Sequence, residues 1–225
     1  MRCPWCQQLQ IRDLTLKEIL WPLKIKETRC QVCESKLCKI EAPYCLLCLK
    51  KGVASPCDDC RMWQTEYPSY DFQHHCFFQY NEAFHDWIYC YKFLGDYRLR
   101  GTFTDEIRSF FHQHPKAIVC TVPLSSERQK IRGFNQSAAI LSAAKIHTID
   151  LLQKTQHTDA QAQKNRQERL AMKQPFEATS FAKEIKDREV IIFDDVYTTG
   201  RTLFYAAEVL EHFKPLKIRT LSLAR

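Results

Sequence analysis

Two sets of residues in this 225-residue chain have the types and spacing for chemistry. The first is four Cys-x-x-Cys pairs: Cys3/Cys6, Cys30/Cys33, Cys45/Cys48 and Cys57/Cys60. A Cys-x-x-Cys turn sets two sulfurs on one side of a tight loop, and two such turns complete a tetrahedral zinc site. The simplest pairing is sequential, with Cys3, Cys6, Cys30 and Cys33 on one ion and Cys45, Cys48, Cys57 and Cys60 on a second. A cross-braced pairing is the alternative. The second set is the stretch VIIFDDVYTTGRTL at 190–203. An apolar run delivers Asp194 and Asp195 to the end of a strand. Val196 and Tyr197 follow, and then Thr198, Thr199, Gly200, Arg201 and Thr202 lead into a helix. Adjacent carboxylates accept hydrogen bonds from both hydroxyls of a cis-diol and help hold a hydrated magnesium ion. A helix start offers outward N–H groups, a favourable dipole and hydroxyl donors, so a phosphate fits there. Diol beside phosphate describes a ribose 5-phosphate. A helix cap alone would account for one or two polar residues, not for paired acids on a buried strand followed by Thr-Thr-Gly.

The elements that must position these residues are legible in part. The cysteine-rich region spans 1–63, and IRDLTLKEILWPL (11–23) reads as a short helix or strand pair ending at Pro22 that packs two knuckles together. The remaining cysteines, Cys38, Cys76, Cys90 and Cys120, have no such partners and read as ordinary core or surface thiols. From 64 to 225 a second domain follows. Phe84, Trp87, Ile88 and Tyr91 share one face of a helix, as do Phe103, Ile107, Phe110 and Phe111. AIVCTVPL (117–124) is a buried strand, followed by a polar, arginine-bearing loop and the helix SAAILSAAK (137–145). The polar stretch at 155–175 reads as a mobile loop. The strand at 190–196, the helix LFYAAEVLEHF (203–213) and the strand IRTLSLA (218–224) complete the pattern. Strands alternating with helices predict an α/β fold, a parallel sheet flanked by helices and preceded by a small zinc-binding module.

Composition narrows the setting. The charged fraction of 26% and the five glycines fit a globular chain. No run of about 18 apolar residues predicts a membrane span, and the start MRCPWCQQLQ lacks a signal-peptide core. Cysteines grouped in metal-type pairs without an export signal predict a cytoplasmic, zinc-bearing protein. The formal charge of +7 counts thiols as neutral. Each zinc ion with four thiolates adds a net two negative charges, so the balance falls to about +3. That permits nucleic-acid contact without requiring it. The zinc module reads as scaffold or partner-docking surface, because a basic recognition helix with C2H2 spacing is absent. Trp63, Tyr67, Tyr70 and Phe72 either stack bases of single-stranded DNA or form a hydrophobic seam between the domains, the seam being preferred.

The stretch at 190–203 resembles the phosphoribosyl-diphosphate (PRPP) motif of type I phosphoribosyltransferases. Together with VPLSSERQKIRGFNQS (122–137), KNRQERL (164–170), YKFLGD (91–96) and the cysteine pairs, nearly the whole chain resembles the ComF family. The resemblance implies a type I phosphoribosyltransferase-like domain with Asp194 and Asp195 on the ribose hydroxyls and the residues from Thr198 to Thr202 around the 5-phosphate. It implies a diphosphate loop after the first strand, formed by Pro123, Leu124 and Ser125, with Arg128 and Arg132 on phosphate oxygens and Asn135 and Gln136 as uncommitted polar candidates. It implies a closing loop near 155–170 whose phosphate contacts would be Lys164, Arg166 and Arg169. Magnesium would accompany PRPP. The family role is natural transformation, in which incoming single-stranded DNA is taken up with a ComFA-type helicase at the inner face of the membrane. Purine-salvage enzymes carry an acid directly before Thr-Gly; here Thr198 stands there and takes no proton near neutral pH. Three functions therefore stay open: a competence factor, an active salvage phosphoribosyltransferase, and a PRPP-responsive regulator without catalysis.

Overall fold

Apolar residues at a period of two build a sheet, and apolar residues at a period near 3.6 build the helices laid on it. The computed structural model describes residues 2–11, 16–20, 29–53, 55–155 and 174–225. The short helices α1 (Leu16–Leu20) and α2 (Gln31–Ser35) precede α3 (Asp58–Glu66). Then come β1 (His74–Phe78), α4 (Glu82–Lys92), α5 (Thr104–His112) and β2 (Ile118–Thr121). These are followed by α6 (Ser126–Arg132), α7 (Gln136–Ala143), β3 (Leu152–Lys154) and β4 (Phe176–Ala178). The last elements are β5 (Glu189–Val196), α8 (Arg201–Glu211) and β6 (Lys217–Ala224). No described helix is long and apolar enough to cross a membrane.

Four strands form one parallel sheet in the order β1-β6-β5-β2. The central strand β5 is buried on both faces, which is why it reads as a continuous apolar run rather than an alternating one. Ile191 and Phe193 pack with Val119, Leu221 and Leu223 against α4, α5 and α7. Val190 and Ile192 pack with Ile118, Cys120 and Ile218 on the opposite face, under α8 and the β3–β4 hairpin. Each such side chain contributes roughly 1.5–3 kcal/mol by leaving water. The faces predicted for α4 and α5 are the ones that are buried: Phe84, Trp87, Ile88 and Tyr91 in α4, Ile107 and Phe111 in α5.

Three parts differ from the sequence expectations. The arginine-bearing segment after β2 is a helix, α6, capped by Ser125 and ended by Gly133 at φ 75°. The strand β1 was not anticipated; its first half is His74–His75, and it pairs with β6 through His74↔Thr220 and Cys76↔Ser222. The two-stranded antiparallel hairpin β3–β4 was not anticipated either, and it brackets a stretch that lies outside the described residues. The preferred reading of Trp63, Tyr70 and Phe72 holds, and these rings are not available to stack bases. They are buried at 1%, 9% and 5% exposure, against Phe204 of α8. The hydrophobic seam is what the structure shows, and α3 carries the chain across residue 63 as one continuous helix.

The cysteine-rich segment also covers the outer edge of β1. The His74 amide donates to the Leu47 carbonyl at 2.9 Å, and the Gln79 amide donates to the Cys38 carbonyl at 2.8 Å. An uncovered strand edge invites pairing with another chain, so this contact has a structural use of its own.

Candidate functional site

The loop after β5 is shaped by one glycine and one tyrosine. Tyr197 continues the ladder, its amide donating to the Ala224 carbonyl at 2.9 Å, and its ring turns inward to 3% exposure. Gly200 then takes φ +83°, and a Cβ there would run into the Tyr197 ring. Glycine is required twice over, by backbone angle and by space. Between them Thr198 and Thr199 stay exposed. The helix α8 begins at Arg201 with no side-chain cap at Gly200, and a helix start favours an anion through its dipole and N–H groups.

The acid pair sits at the carboxyl end of β5, between α4 and α7. Asp195 is 6% exposed and meets the Lys92 ammonium at 2.7 Å. Asp194 accepts from the Asp195 amide at 2.9 Å and from Ser137 Oγ at 3.5 Å. Burial, then the charge of Asp195, push the Asp194 carboxyl up to about 7, against the pull of Lys92. The two acids thus differ: Asp195 pairs with the Lys92 ammonium, while Asp194 carries the raised pKa. Lys92 was missed as a site residue although it lies in the YKFLGD stretch. Its position in the last turn of α4, one residue past buried Tyr91, was the available signal.

The other expected residues divide by position. Val196 packs against the core, Arg201 is partly buried and Thr202 is exposed. Pro123, Leu124 and Ser125 form the turn into α6, and Ser125 Oγ accepts from the Arg128 amide at 3.3 Å. Arg128 is exposed on α6. Arg132, in the last turn, donates to Gln136 Oε1 at 2.9 Å and stands 5.8 Å from the Phe93 ring centroid. Burial and the charge of Arg128 lower its pKa, while Asp195 and Asp194 act on it the other way, which places it within the field of the acid pair. Asn135 is committed to structure, whereas the Gln136 side chain is so only through Oε1, its Nε2 being buried without a hydrogen-bond partner among the described residues. Asn135 caps α7 by accepting from Ala138 N at 3.1 Å and donates to the Val122 carbonyl at 3.1 Å. Gln136 is 1% exposed and holds Arg132. Lys164, Arg166 and Arg169 lie outside the described residues.

The cysteines gather in sequential order. Within each set, Cys3/Cys6/Cys30/Cys33 and Cys45/Cys48/Cys57/Cys60, the sulfurs all lie within 4.8 Å of one another. The two sets repeat one local design. Gln7 N donates to Cys3 O at 2.9 Å and Leu49 N to Cys45 O at 2.8 Å, with both Gln7 and Leu49 at φ 62°. In each set the second pair opens a helix, with Cys30 and Cys57 as its N-caps. An amide also donates to a sulfur at 3.4 Å in each, Cys30 N to Cys3 and Cys57 N to Cys45. All four thiols of the second set are buried, whereas Cys6 of the first is exposed. The Cys60 hydrogen bond brings Cys48 down to about 5 against burial, while Cys60 itself is pushed up by that bond and by burial. Four thiolates this close disfavour one another, and a divalent cation with tetrahedral preference relieves the repulsion. The residues present therefore fit zinc at both places. A groove of about 890 Å³, lined by Gln73, His75, Phe110 and Arg219 among others, lies toward the amino-terminal ends of β1 and β6, away from the acid pair.

Comparison with known proteins agrees with this architecture. Residues 133–225 match the phosphoribosyl transferase domain family. The competence protein ComFC of Streptococcus pneumoniae (strain ATCC BAA-255 / R6) is 32% identical over 225 residues, covering 100% of both chains. The competence protein ComFC of Bacillus subtilis (strain 168) is 31% identical over 233 residues, covering 99% of this chain and 94% of that one. Among solved structures, a hypoxanthine phosphoribosyltransferase from Staphylococcus aureus overlaps 55% of this chain and 61% of its own, at 17% identity and a TM-score of 0.34. Similarity to two relatives from end to end, with a phosphoribosyltransferase-like domain behind paired cysteine clusters, means that the chain belongs to the ComFC family of competence proteins.

Proposed function

We propose that this protein serves natural transformation by handling incoming single-stranded DNA, and that its phosphoribosyltransferase-like domain binds PRPP or a ribose 5-phosphate group. The observation that carries the ligand is the acid pair Asp194–Asp195 followed by an uncapped helix start behind the Thr198–Gly200 turn. Asp194 and Asp195 receive the ribose hydroxyls, and magnesium, when bound, would neutralise the diphosphate beside them. The amides and hydroxyls from Thr198 to Thr202 receive the 5-phosphate, and Arg128 and Arg132 meet the diphosphate. Lys164, Arg166 and Arg169 supply the closing contacts. Two zinc ions complete the cysteine module, which serves as scaffold and docks a ComFA-type ATPase on the cytoplasmic side of the membrane. Single-stranded DNA contact moves from the buried Trp63 seam to the exposed rings of Tyr89, Phe93 and Tyr97. Arg100 lies 4.2 Å over the Tyr97 ring and Arg132 approaches Phe93, the mixture of aromatic faces and guanidinium that stacks bases.

A second reading, transfer of the ribosyl group to a base, is favoured by one observation. Asp194 has a carboxyl poised at about 7, so a proton acceptor exists near the sugar although Thr198 is no acid. Calorimetric titration of the full chain with PRPP and magnesium separates the possibilities. Binding that vanishes in Asp194→Asn/Asp195→Asn is the expected result, and no binding by the unaltered chain would sink the ligand assignment. Release of diphosphate with some base from a broad panel identifies an enzyme; binding without release favours the competence factor or the PRPP-responsive regulator.

A further inference from the structure

The cysteine module and the phosphate loop touch at two adjacent carbonyl oxygens. The Trp63 indole N–H donates to the Thr199 carbonyl at 2.8 Å. The Arg225 guanidinium donates through Nη1 to the Thr198 carbonyl at 3.3 Å. Both donors are tied to the second cysteine cluster. Trp63 lies one turn after Cys60 on α3, and Cys57 is the N-cap of that helix. Its ring is stacked on Phe204 of α8 at 4.5 Å, so it is clamped from both sides. Arg225 stands 3.6 Å from Asp59, which lies between Cys57 and Cys60, and its guanidinium covers the Tyr197 ring at 4.2 Å. Asp59 in turn accepts from Lys50, two residues past Cys48, at 3.0 Å.

What these bonds do follows from the planarity of the peptide. In a trans peptide the C=O of one residue and the N–H of the next point in opposite directions. Holding the Thr198 and Thr199 oxygens on the cysteine side turns the amides of Thr199 and Gly200 to the other side, where the 5-phosphate belongs. Within the loop Thr198 and Thr199 are exposed, and α8 has no side-chain cap. A four-sulfur cluster that forms only around its ion also fixes where α3 begins, and hence where the Trp63 indole sits.

We propose that Trp63 and Arg225 are positioning residues for the phosphate loop, and that an ion at Cys45/Cys48/Cys57/Cys60 and a sugar phosphate at the loop bind with positive coupling. The proposal rests on the ribose-phosphate reading above. Coupling between two binding sites is reciprocal, so it can be read from either end. The first cluster serves as an internal control: it touches Thr102 through the Pro4 carbonyl at 3.4 Å and, among the described residues, forms no hydrogen bond to a loop carbonyl.

The experiment uses the full zinc-loaded chain and ribose 5-phosphate as the probe. Trp63→Phe keeps a ring against Phe204 and removes the donor; Arg225→Met removes the second donor and serves if the first variant does not fold. Binding is measured by calorimetry, and zinc release is followed with a chromophoric chelator in the presence and absence of ribose 5-phosphate. Trp63→Phe should bind the sugar phosphate about fivefold or more weakly while retaining two zinc ions per chain. In the unaltered protein, ribose 5-phosphate should slow release of one zinc ion by a similar factor and leave the other unchanged; the variant should lose that protection. Equal binding by the unaltered chain and both variants, with zinc release indifferent to the ligand, overturns the coupling and leaves the ribose-phosphate site standing. No binding of ribose 5-phosphate or PRPP by the unaltered chain overturns both.

Discussion

The Asp194 carboxyl sits where burial and the neighbouring Asp195 both favour its protonated form, yet a sugar hydroxyl asks for a carboxylate. The consequence for stability has a definite sign. Between the ordinary value of 3.8 and the folded value of about 7, the folded chain keeps a proton that the unfolded chain has released. The contribution of this group to stability is therefore full below the ordinary value and drains away as pH rises to about 7. Asp194→Asn should raise the melting temperature above neutral pH and flatten its decline across that window, because the amide oxygen still accepts from the Asp195 amide and Ser137. The same variant should lose ribose 5-phosphate affinity, and affinity in the unaltered protein should climb between about pH 6 and 8. Melts and titrations across that range check both; a variant that melts lower at every pH would contradict the assignment. This residue also marks how far sequence reaches. Adjacent acids on an apolar run announced the site, but not Lys92, 103 positions from Asp195 in the chain, which brings an ammonium to 2.7 Å from it. No local pattern encodes such a long-range pair.

At the scale of elements, legibility followed the strength of the periodic signal. Phe84, Trp87, Ile88 and Tyr91 define α4 because a stripe of large apolar residues fits no other period. By contrast α6 has no buried residue, so Ser126–Arg132 carries no stripe and reads as loop, and only the Ser125 cap and Gly133 stop mark it. The strand β1 hides because His74, a polar residue in the sequence, is buried at its start. Its ring nitrogens meet Thr220 Oγ1 at 2.9 Å and Ser222 Oγ at 3.0 Å, and burial, followed by the charge of Arg225, holds its pKa well down and the ring neutral. The elements most relevant to binding are the short ones, and one residue joins two of them. Asn135 caps α7 and ties it to the β2 exit through the Val122 carbonyl. Asn135→Ala should cost about 1–2 kcal/mol, the range of a lost N-cap. Asn135→Asp should cost less because it keeps the cap and loses only the donor. Urea unfolding of the two variants measures the difference; equal losses would mean that the cap does not matter.

At the scale of the molecule, the cysteine clusters and the sheet domain are fastened together by buried polar contacts as well as by the Trp63 seam. Sequence spacing announced the clusters and could not show where they dock, because docking depends on residues such as Arg29 and Glu106 that carry no motif. Arg29, beside Cys30, has a side chain only 7% exposed. Its guanidinium forms a two-pronged pair with Glu106 of α5, donates to the Thr102 carbonyl at 2.5 Å and lies 5.3 Å from the Phe103 ring centroid. Glu34, two residues on from Val32 in α2, accepts from its Nε at 2.8 Å. Burial disfavours the charged guanidinium, but the bond and charge of Glu106, followed by those of Glu34, outweigh it and raise the Arg29 pKa. Removing the arginine would leave a partly buried carboxylate and a carbonyl without their donor. Arg29→Met should therefore lower stability by about 3 kcal/mol, the lower end of the cost of breaking a buried pair. Arg29→Met/Glu106→Gln should recover part of that loss, since the second change removes the stranded charge. Urea unfolding of the zinc-loaded chain gives both values, and native mass spectrometry should still find two ions in each variant. A single variant as stable as the unaltered protein would mean that the ion pair orients the first cluster without holding it. In that case the first cluster would remain attached through contacts such as Pro4–Thr102 and the Asn81 side chain's bond to the Lys36 carbonyl.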